Sequence, residues 1–234
     1  MPQWNSFGQR TSHSGFQFFW GVGIQEVTID PDGNVILAGT FSAQIDFDPS
    51  AANLFLEPVV FPQALDLYIL NLNSIGEFQW VRQLGSGTES ENISDFELDA
   101  SGSIYFTGRF IGLFDFDPGV NEFILDAENA DAWACYVSKL DKDGNFVWAK
   151  KVSGPSANAK GSALDLDEAS NVYITGSFQF TADFDPNPNA VFELTASGTN
   201  LDMFVFRLTA GGEFVWAISL GSPEYDLSLG IVVD

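Results

Sequence analysis

The sequence predicts an all-β protein built as an array of four-stranded antiparallel units, each about 68 residues long. Three observations lead to this prediction. Four sequence markers recur in register along the 234 residues. Short apolar runs alternate with tight-turn residues, as they do in β-hairpins. No segment combines a sustained apolar period of 3.6 residues with capping residues, so almost no helix is expected.

The repeat is defined by four markers that share one period of 67 to 69 residues. They are a Gly-x-Phe-x-Trp segment (Gly76–Trp80, Gly144–Trp148, Gly212–Trp216), an Asp-Phe-Asp-Pro segment (Asp46–Pro49, Asp115–Pro118, Asp183–Pro186), a strand-ending leucine (Leu72, Leu140, Leu208) and an aspartate that closes an apolar run (Asp30, Asp99, Asp167, Asp234). Four colinear markers with one period indicate a genuine internal repeat.

Each repeat is predicted to contain strands A, B, C and D. Strand A is placed at Val27–Asp30, Phe96–Asp99, Leu164–Asp167 and Ile231–Asp234; strand B at Val35–Phe41, Ile104–Phe110 and Val172–Phe178; strand C at Leu67–Leu72, Ala134–Leu140 and Met203–Leu208; strand D carries the tryptophan of the first marker. The predicted units are residues 24–92, 93–160 and 161–228, preceded at 1–23 by a lone outer strand with an aromatic insert and followed at 229–234 by the first strand of an incomplete unit.

Four antiparallel strands per repeat are typical of a β-propeller blade. An immunoglobulin-like array would need about seven strands and about 100 residues per unit. Propeller blades usually have about 40–50 residues, and the surplus here lies between strands B and C. The fold is therefore expected to be a β-propeller-type array of three complete blades plus unpaired end strands. Its B–C loops are expected to be the variable surface, because long loops on a rigid scaffold carry function.

The motifs also resemble a known family. The segments Asn171–Phe178 and Asp131–Lys150, together with the Asp-Phe-Asp-Pro segments, are similar to the bacterial repeats called SBBP (seven-bladed beta-propeller) repeats. The likeness covers nearly the whole chain. It implies a propeller fold in a secreted or surface-attached bacterial protein, and it implies no defined activity. Seven blades would need much more chain than these 234 residues.

The charge of the chain limits its partners. With 32 acidic and 9 basic residues the formal net charge is −23, which repels nucleic-acid phosphates and anionic membrane surfaces. Nucleic-acid binding is therefore not expected. Membrane insertion is not expected either, because the sequence contains no run of 18 apolar residues. An acidic surface also keeps a phenylalanine-rich protein soluble.

The resemblance to SBBP repeats implies an extracellular or cell-surface location. Met1–Arg10 lacks the basic and apolar stretches of a signal peptide, so we expect either that the signal was removed or that the chain is an excerpt. Cys135 is the single cysteine. An intramolecular disulfide and a cysteine-based zinc cage are therefore excluded.

The paired aspartates of the Asp-Phe-Asp-Pro segments are candidate calcium ligands: Asp46, Asp48, Asp115, Asp117, Asp183 and Asp185. In an extended chain both carboxylates of a pair point to one side while the phenylalanine points to the core. Carboxylates suit Ca²⁺, which takes six to eight oxygen ligands. The alternative is that each aspartate caps a turn through its own side chain while the phenylalanine anchors the loop.

Catalysis is not expected. His13 is the single histidine, so histidine-dependent triads and histidine metal sites lack parts. Neither a P-loop nor a Gly-x-Ser-x-Gly elbow occurs. Carboxylate pairs could serve glycoside hydrolysis, but these recur in every unit and are expected to be architectural. The strand-D tryptophans are expected to pack between neighbouring blades, with sugar stacking as the alternative.

The predicted function is that of a structural or adhesive extracellular module that assembles with copies of itself, as a ring or a head-to-tail fibre, or belongs to a longer surface protein. The alternative is a glycan- or ligand-binding propeller that uses its B–C loops. Unpaired strand edges invite another strand, so the end segments are the predicted interface: Trp4, Phe7, Phe16, Phe18, Phe19, Trp20, Ile231, Val232 and Val233.

Overall fold

The computed structural model describes residues 21–59, 65–85, 91–129 and 131–234. The regular structure of these residues consists of eighteen β-strands, which confirms the predicted all-β fold class. Nowhere in the four described ranges is there a helix that could cross a membrane.

Three four-stranded antiparallel sheets follow one another along the chain, and each keeps its strands in chain order from one edge to the other. Blade 1 contains β1 (Val22–Ile29), β2 (Val35–Phe41), β5 (Asp66–Leu72) and β6 (Phe78–Leu84). Blade 2 contains β7 (Asn92–Leu98), β8 (Ile104–Phe110), β11 (Ala134–Leu140) and β12 (Phe146–Val152). Blade 3 contains β13 (Asn158–Leu166), β14 (Val172–Gln179), β17 (Asp202–Leu208) and β18 (Phe214–Leu220). The three predicted blades are present, each with strands A to D.

The A strands are longer than predicted, and each begins four to six residues before its predicted start. Each carries a β-bulge, between Ile24 and Glu26, between Ile93 and Asp95, and between Gly161 and Ala163. A bulge adds one residue to a strand and so interrupts the alternation of apolar and polar side chains. The apolar runs read from the sequence therefore covered only the second half of each A strand.

Opposite each bulge lies the repeated glycine of strand B. The A-strand backbone comes so close to Gly108 that a methyl group there would overlap the carbonyl oxygen of Asn92. That carbonyl also accepts a hydrogen bond from the hydroxyl of Tyr136 at 2.9 Å. Gly39 and Gly176 lie at the same place in the other two blades. The glycine two residues before the strand-ending phenylalanine is thus required by the approach of the bulged strand.

Each B–C connection forms a second, small hairpin that the sequence analysis did not predict. The hairpins pair β3 (Ile45–Asp46) with β4 (Phe55–Leu56), β9 (Leu113–Asp115) with β10 (Ile124–Asp126), and β15 (Thr181–Asp183) with β16 (Glu193–Thr195). The first aspartate of each Asp-Phe-Asp-Pro segment ends the first strand of its hairpin. The surplus length of the repeat is therefore an ordered element on each blade.

The hydrophobic core lies between successive blades. One cluster joins Ile36 and Leu67 of blade 1 to Phe106 of blade 2. Another joins Trp148 of blade 2 to Phe206 of blade 3. Strand β13 of blade 3 packs against β7, β8 and β11 of blade 2. Face-to-face stacking of four-stranded sheets is the packing of a propeller-type array.

Trp80 and Trp148, the strand-D tryptophans of blades 1 and 2, pack against the next blade, as expected from their fixed position. A Cβ at Gly144 would lie 3.1 Å from the Trp80 ring, and one at Gly212 would lie 3.1 Å from the Trp148 ring. Both glycines have positive φ, 75° and 82°, which glycine adopts without the penalty of other residues. The C–D turn of one blade is thus shaped to receive the tryptophan of the blade before it.

The two predicted end strands have different outcomes. Trp4, Phe7, Phe16, Phe18, Phe19 and Trp20 lie outside the described residues. The segment Ile231–Val233 forms no β-ladder. The backbone amide of Val233 donates a hydrogen bond to Oδ2 of Asp165 at 2.6 Å.

Candidate functional site

The candidate metal ligands lie at the tips of the B–C hairpins. Phe47, Phe116 and Phe184, between the two aspartates of each pair, are buried, as predicted for the inward side of an extended segment. The first aspartates cap the hairpins. Oδ1 of Asp115 accepts the amides of Asp117 and Phe123 at 3.0 and 2.8 Å.

The same pattern recurs at the other two hairpins, through Oδ1 of Asp46 and of Asp183. The second aspartates cap the next turn: Oδ1 of Asp48, Asp117 and Asp185 each accept an amide two residues on. One oxygen of every candidate ligand is therefore bound to the backbone. In the four described ranges no three acidic, histidine or cysteine side chains converge closely enough to hold a metal ion. The calcium site stays a prediction.

The B–C loops of blades 2 and 3 border an open cavity of about 840 Å³. Glu128 from the blade 2 loop, Phe180 and Asp183 from the blade 3 loop, and Pro155 from the connection between the blades line it. This volume falls within the ~300–1,000 Å³ range of small-molecule sites. Asp183 is the one predicted site residue that borders this cavity.

Two residues at this cavity have left-handed backbone conformations although they are not glycines. Glu128 has φ 68° and Phe180 has φ 64°. In blade 2 the position of Phe180 is taken by Gly112, with φ 65°. The Phe180 side chain is 43% exposed. Such a conformation costs a bulky residue about 1–2 kcal/mol, and strain of this kind concentrates at functional sites. Phe180 is not among the residues predicted from the sequence; the signal that could have identified it is the phenylalanine at the repeat position where blade 2 has Gly112.

The inner A strands bring carboxyl groups of all three blades close together. Burial, and then the charge of Asp95, raises the pKa of Glu26. Burial also raises the pKa of Asp95 and of Glu97, with the neighbouring charge of Asp165 contributing to both. Oδ2 of Asp95 accepts the amide of Leu164 at 2.9 Å, so this carboxylate links strands A of blades 2 and 3.

The two end faces of the array expose apolar side chains at repeat positions whose equivalents are buried where two blades pack together. Val27 of blade 1 is 58% exposed, whereas its equivalents Phe96 and Leu164 are 5% and 2% exposed. Leu220 of blade 3 is 56% exposed, whereas its equivalent Val152 is 1% exposed. We call the surface around Val22, Ile24, Val27 and Ile29 the first face, and the surface around Ile218 and Leu220 the last face.

Comparison with known proteins agrees with this architecture. The chain is 28% identical over 160 residues to a protein described as an uncharacterized WD repeat-containing protein, L264, of Acanthamoeba polyphaga mimivirus. The match covers 65% of the chain but 11% of that protein, so the chain spans about a tenth of its relative's length. The strand-D tryptophans here precede Val81, Ala149 and Ala217 rather than the aspartate typical of WD repeats.

No family model matches the chain, and the resemblance to SBBP repeats stays a prediction. The likeness to a WD repeat-containing protein points to a repeat protein. Together with the three stacked four-stranded sheets, it identifies the chain as an all-β, propeller-type repeat protein.

Proposed function

We propose that this chain is a non-catalytic structural and adhesive module of the cell surface, whose two end faces take further blades. Those blades come from copies of the chain, joined head to tail, or from the rest of a longer surface protein. The observation that supports the proposal is the exposure of Val27 and Leu220 at positions that are buried wherever a neighbouring blade is present. Monomeric proteins rarely leave such contiguous apolar surface in water.

The first and last faces are the two halves of an interface that occurs twice inside the chain. Strand A of blade 3 packs against strands A, B and C of blade 2, and the first face of blade 1 presents the same strand A positions. The last face presents the strand D positions, where Val152 is buried in blade 2. A contact between two different faces is heterologous, so it leads to rings or fibres rather than to a closed two-fold dimer.

The proposal is tested by the mass of the purified chain in solution with two single variants, Val27→Lys on the first face and Leu220→Lys on the last face. Wild type is expected to form rings or longer oligomers, and each variant alone to remain monomeric. An equimolar mixture should stop at dimers, since each variant keeps one intact face. Val120→Lys is the control, because Val120 is fully exposed in the B–C hairpin of the middle blade, away from both end faces. If the wild-type chain stays monomeric at all concentrations, self-assembly is contradicted, and the blades that cover the two faces would have to come from the rest of a longer protein.

The charge of the chain gives the same assembly a salt dependence. Copies that each carry a net charge of −23 repel one another, and added salt screens this repulsion within about 10 Å at 0.1 M ionic strength. Oligomers held by apolar faces are therefore expected to grow as salt is added. Assembly driven by surface ion pairs would weaken instead.

A second candidate function is supported by the cavity between the B–C loops of blades 2 and 3. An exposed aromatic ring in a strained backbone, at the mouth of a cavity lined by both polar and apolar side chains, suits stacking against a sugar ring, so this candidate is a glycan-binding propeller. Screening the monomeric Val27→Lys variant on a glycan array tests it, with Phe180→Ala as the matched loss-of-binding variant. Binding that survives the loss of Phe180 would place the glycan elsewhere.

A further inference from the structure

A row of three side chains repeats across strands B, C and D. In blade 2 the register aligns Tyr105, Lys139 and Trp148. The Lys139 ammonium lies 4.4 Å from the Tyr105 ring centre and 3.6 Å from Oδ2 of Asp99. The Tyr105 ring in turn meets the Trp148 ring edge-on at 6.0 Å. A cation is thus held between a turn aspartate and an aromatic ring, a favourable site for a positive charge.

Blade 3 repeats this arrangement with a guanidinium group. The register aligns Tyr173, Arg207 and Trp216. The Arg207 guanidinium lies 5.3 Å from the Tyr173 ring centre, and its Nη2 lies 3.6 Å from Oδ2 of Asp167. Two blades with different basic residues therefore place a cation at one point.

Blade 1 has the same row without its cation or its tyrosine. The register aligns Ile36, Asn71 and Trp80, and the turn aspartate is Asp30. Oδ2 of Asp30 accepts the side-chain amide of Asn34 at 2.8 Å. The matching amide of Asn171 also reaches Oδ2 of Asp167 at 2.8 Å while Arg207 is paired. The hydrogen bond from Asn34 to Asp30 is therefore compatible with a cation bound to the same carboxylate.

A polar cavity of about 240 Å³ lies where the missing groups would be. Asp30, Asn71 and Trp80 line it from blade 1, and the turns of blade 2 close it through Gly102, Lys142 and Asp143. This volume is below the ~300–1,000 Å³ of drug-sized sites, which fits a single side chain or a small amine.

Two further features leave an acceptor of the cavity vacant and the carboxylate of Asp30 without a lysine. The Asn71 side chain is 4% exposed, and its Oδ1 is buried without a hydrogen-bond partner. A buried acceptor left unpaired is costly. The one lysine at the rim, Lys142, has its ammonium on the carboxylate of Asp143 at 2.8 Å, so it is not placed on Asp30.

We propose that the cavity between blades 1 and 2 binds an alkylammonium group, in the place that Lys139 and Arg207 fill in the other two blades. The carboxylate of Asp30 supplies the charge, Oδ1 of Asn71 accepts a hydrogen bond, and the ring of Trp80 covers the alkyl chain. The group is either the side chain of a lysine on another protein or a free aliphatic amine.

The test is a titration with n-butylammonium chloride, followed by the indole NMR signal of Trp80, which is assigned with a Trp80→Phe variant. We expect a saturable shift that neither n-butanol nor sodium chloride at equal ionic strength produces. Asp30→Asn keeps the turn acceptor but removes the charge, and should weaken binding about tenfold or more. A capped Gly-Lys-Gly peptide distinguishes the sources: tighter binding than butylammonium indicates a partner lysine, and weaker binding indicates a free amine.

The decisive variant rebuilds the row of blade 2 inside blade 1. The double substitution Ile36→Tyr/Asn71→Lys should fill the cavity, abolish the butylammonium shift and raise the melting temperature. The converse change, Tyr105→Ile/Lys139→Asn, should add a second site and raise the stoichiometry from one to two. The proposal is wrong if butanol gives the same shift, or if binding is absent from wild type or unchanged in the double variant of blade 1. Each of these readouts is obtained on the monomeric Val27→Lys background, so it is independent of assembly.

Discussion

The indole Nε1 of Trp148 donates a hydrogen bond to the backbone carbonyl of Ala210 at 3.2 Å and so ties strand D of blade 2 to the C–D turn of blade 3. Blades 1 and 2 have an equivalent link from Arg82, whose Nε donates to the carbonyl of Gly144 at 3.0 Å. Strands D of blades 1 and 2 are therefore joined to the following blade by hydrogen bonds to its turn backbone. Substituting the glycine of a C–D turn measures how much this contact contributes to stability.

Gly144→Ala is expected to destabilise the protein more than Gly76→Ala. Both glycines have positive φ, 75° and 83°, so both variants carry a similar backbone cost of about 1–2 kcal/mol. At Gly144 the added methyl also meets Arg82 at 2.9 Å and Trp80 at 3.1 Å, whereas at Gly76 no atom lies within 4 Å. Overpacking adds about 1–3 kcal/mol. Urea unfolding of both variants in the monomeric Val27→Lys background gives the difference, and equal losses would show that Arg82 and Trp80 adjust to the added methyl group without cost.

The inner carboxyl groups are expected to lower the stability of the protein as the pH rises through their raised pKa values. Burial raises the pKa of Asp95 above its ordinary value of 3.8 and the pKa of Glu97 above 4.5. The folded state then binds these protons more tightly than the unfolded state. Stability is therefore greatest below the ordinary pKa values and is lost as the pH rises through the raised ones.

Asp95→Asn checks this expectation, since it removes one of the charges and keeps an acceptor for the Leu164 amide. The difference in melting temperature between variant and wild type should increase with pH over this window. Asp32→Asn, on an exposed turn, is the control and should show a flat difference. A variant that loses stability equally at every pH would mean that the hydrogen bond to Leu164, and not the charge, dominates.

At the B–C hairpins, Asp115→Ala is expected to cost about 1–2 kcal/mol and Asp115→Asn much less, both measured in chelator. Alanine removes the acceptor for the amides of Asp117 and Phe123, and loss of such a capping oxygen has this magnitude. Adding calcium to the same samples tests the predicted metal site. A rise in melting temperature that wild type shows and Asp115→Asn lacks would support calcium, because a ligand bound only by the folded state must stabilise it.

Phe180→Gly is expected to stabilise the protein by about 1 kcal/mol, by releasing a left-handed backbone that a bulky residue adopts at a cost. Gly112→Ala, at the matching place in blade 2, should lose a similar amount. If Phe180 is retained for binding, the more stable variant should also lose affinity for any ligand of the adjoining cavity. A loss of stability in Phe180→Gly would instead show that the ring is needed for packing.

The sequence predicts strands B and C to within one residue because both are buried on two sides and bounded by turns. It could not predict the starts of the A strands, where a bulge breaks the alternation at Ile24, Ile93 and Gly161. Nor could it predict the B–C hairpins, whose two- or three-residue strands are too short to show a period.

The cavity between blades 1 and 2 could have been found from the repeats alone. Aligning the three units places Ile36 against two tyrosines and Asn71 against a lysine and an arginine. One unit therefore lacks both members of a pair that the others keep. An alignment does not show that this exchange leaves a cavity, because the cavity also depends on how the turns of blade 2 pack over blade 1.

The order of strands in each sheet also determines how the array unfolds under a mechanical force. Strands A and D lie at opposite edges of a blade, and the chain enters through one and leaves through the other. Tension along the chain therefore peels hydrogen bonds from the edges in succession instead of shearing a whole ladder at once. Each blade should yield at low force and release about 68 residues, up to about 230 Å of contour. In single-molecule force spectroscopy the array would extend in equal steps, one per blade.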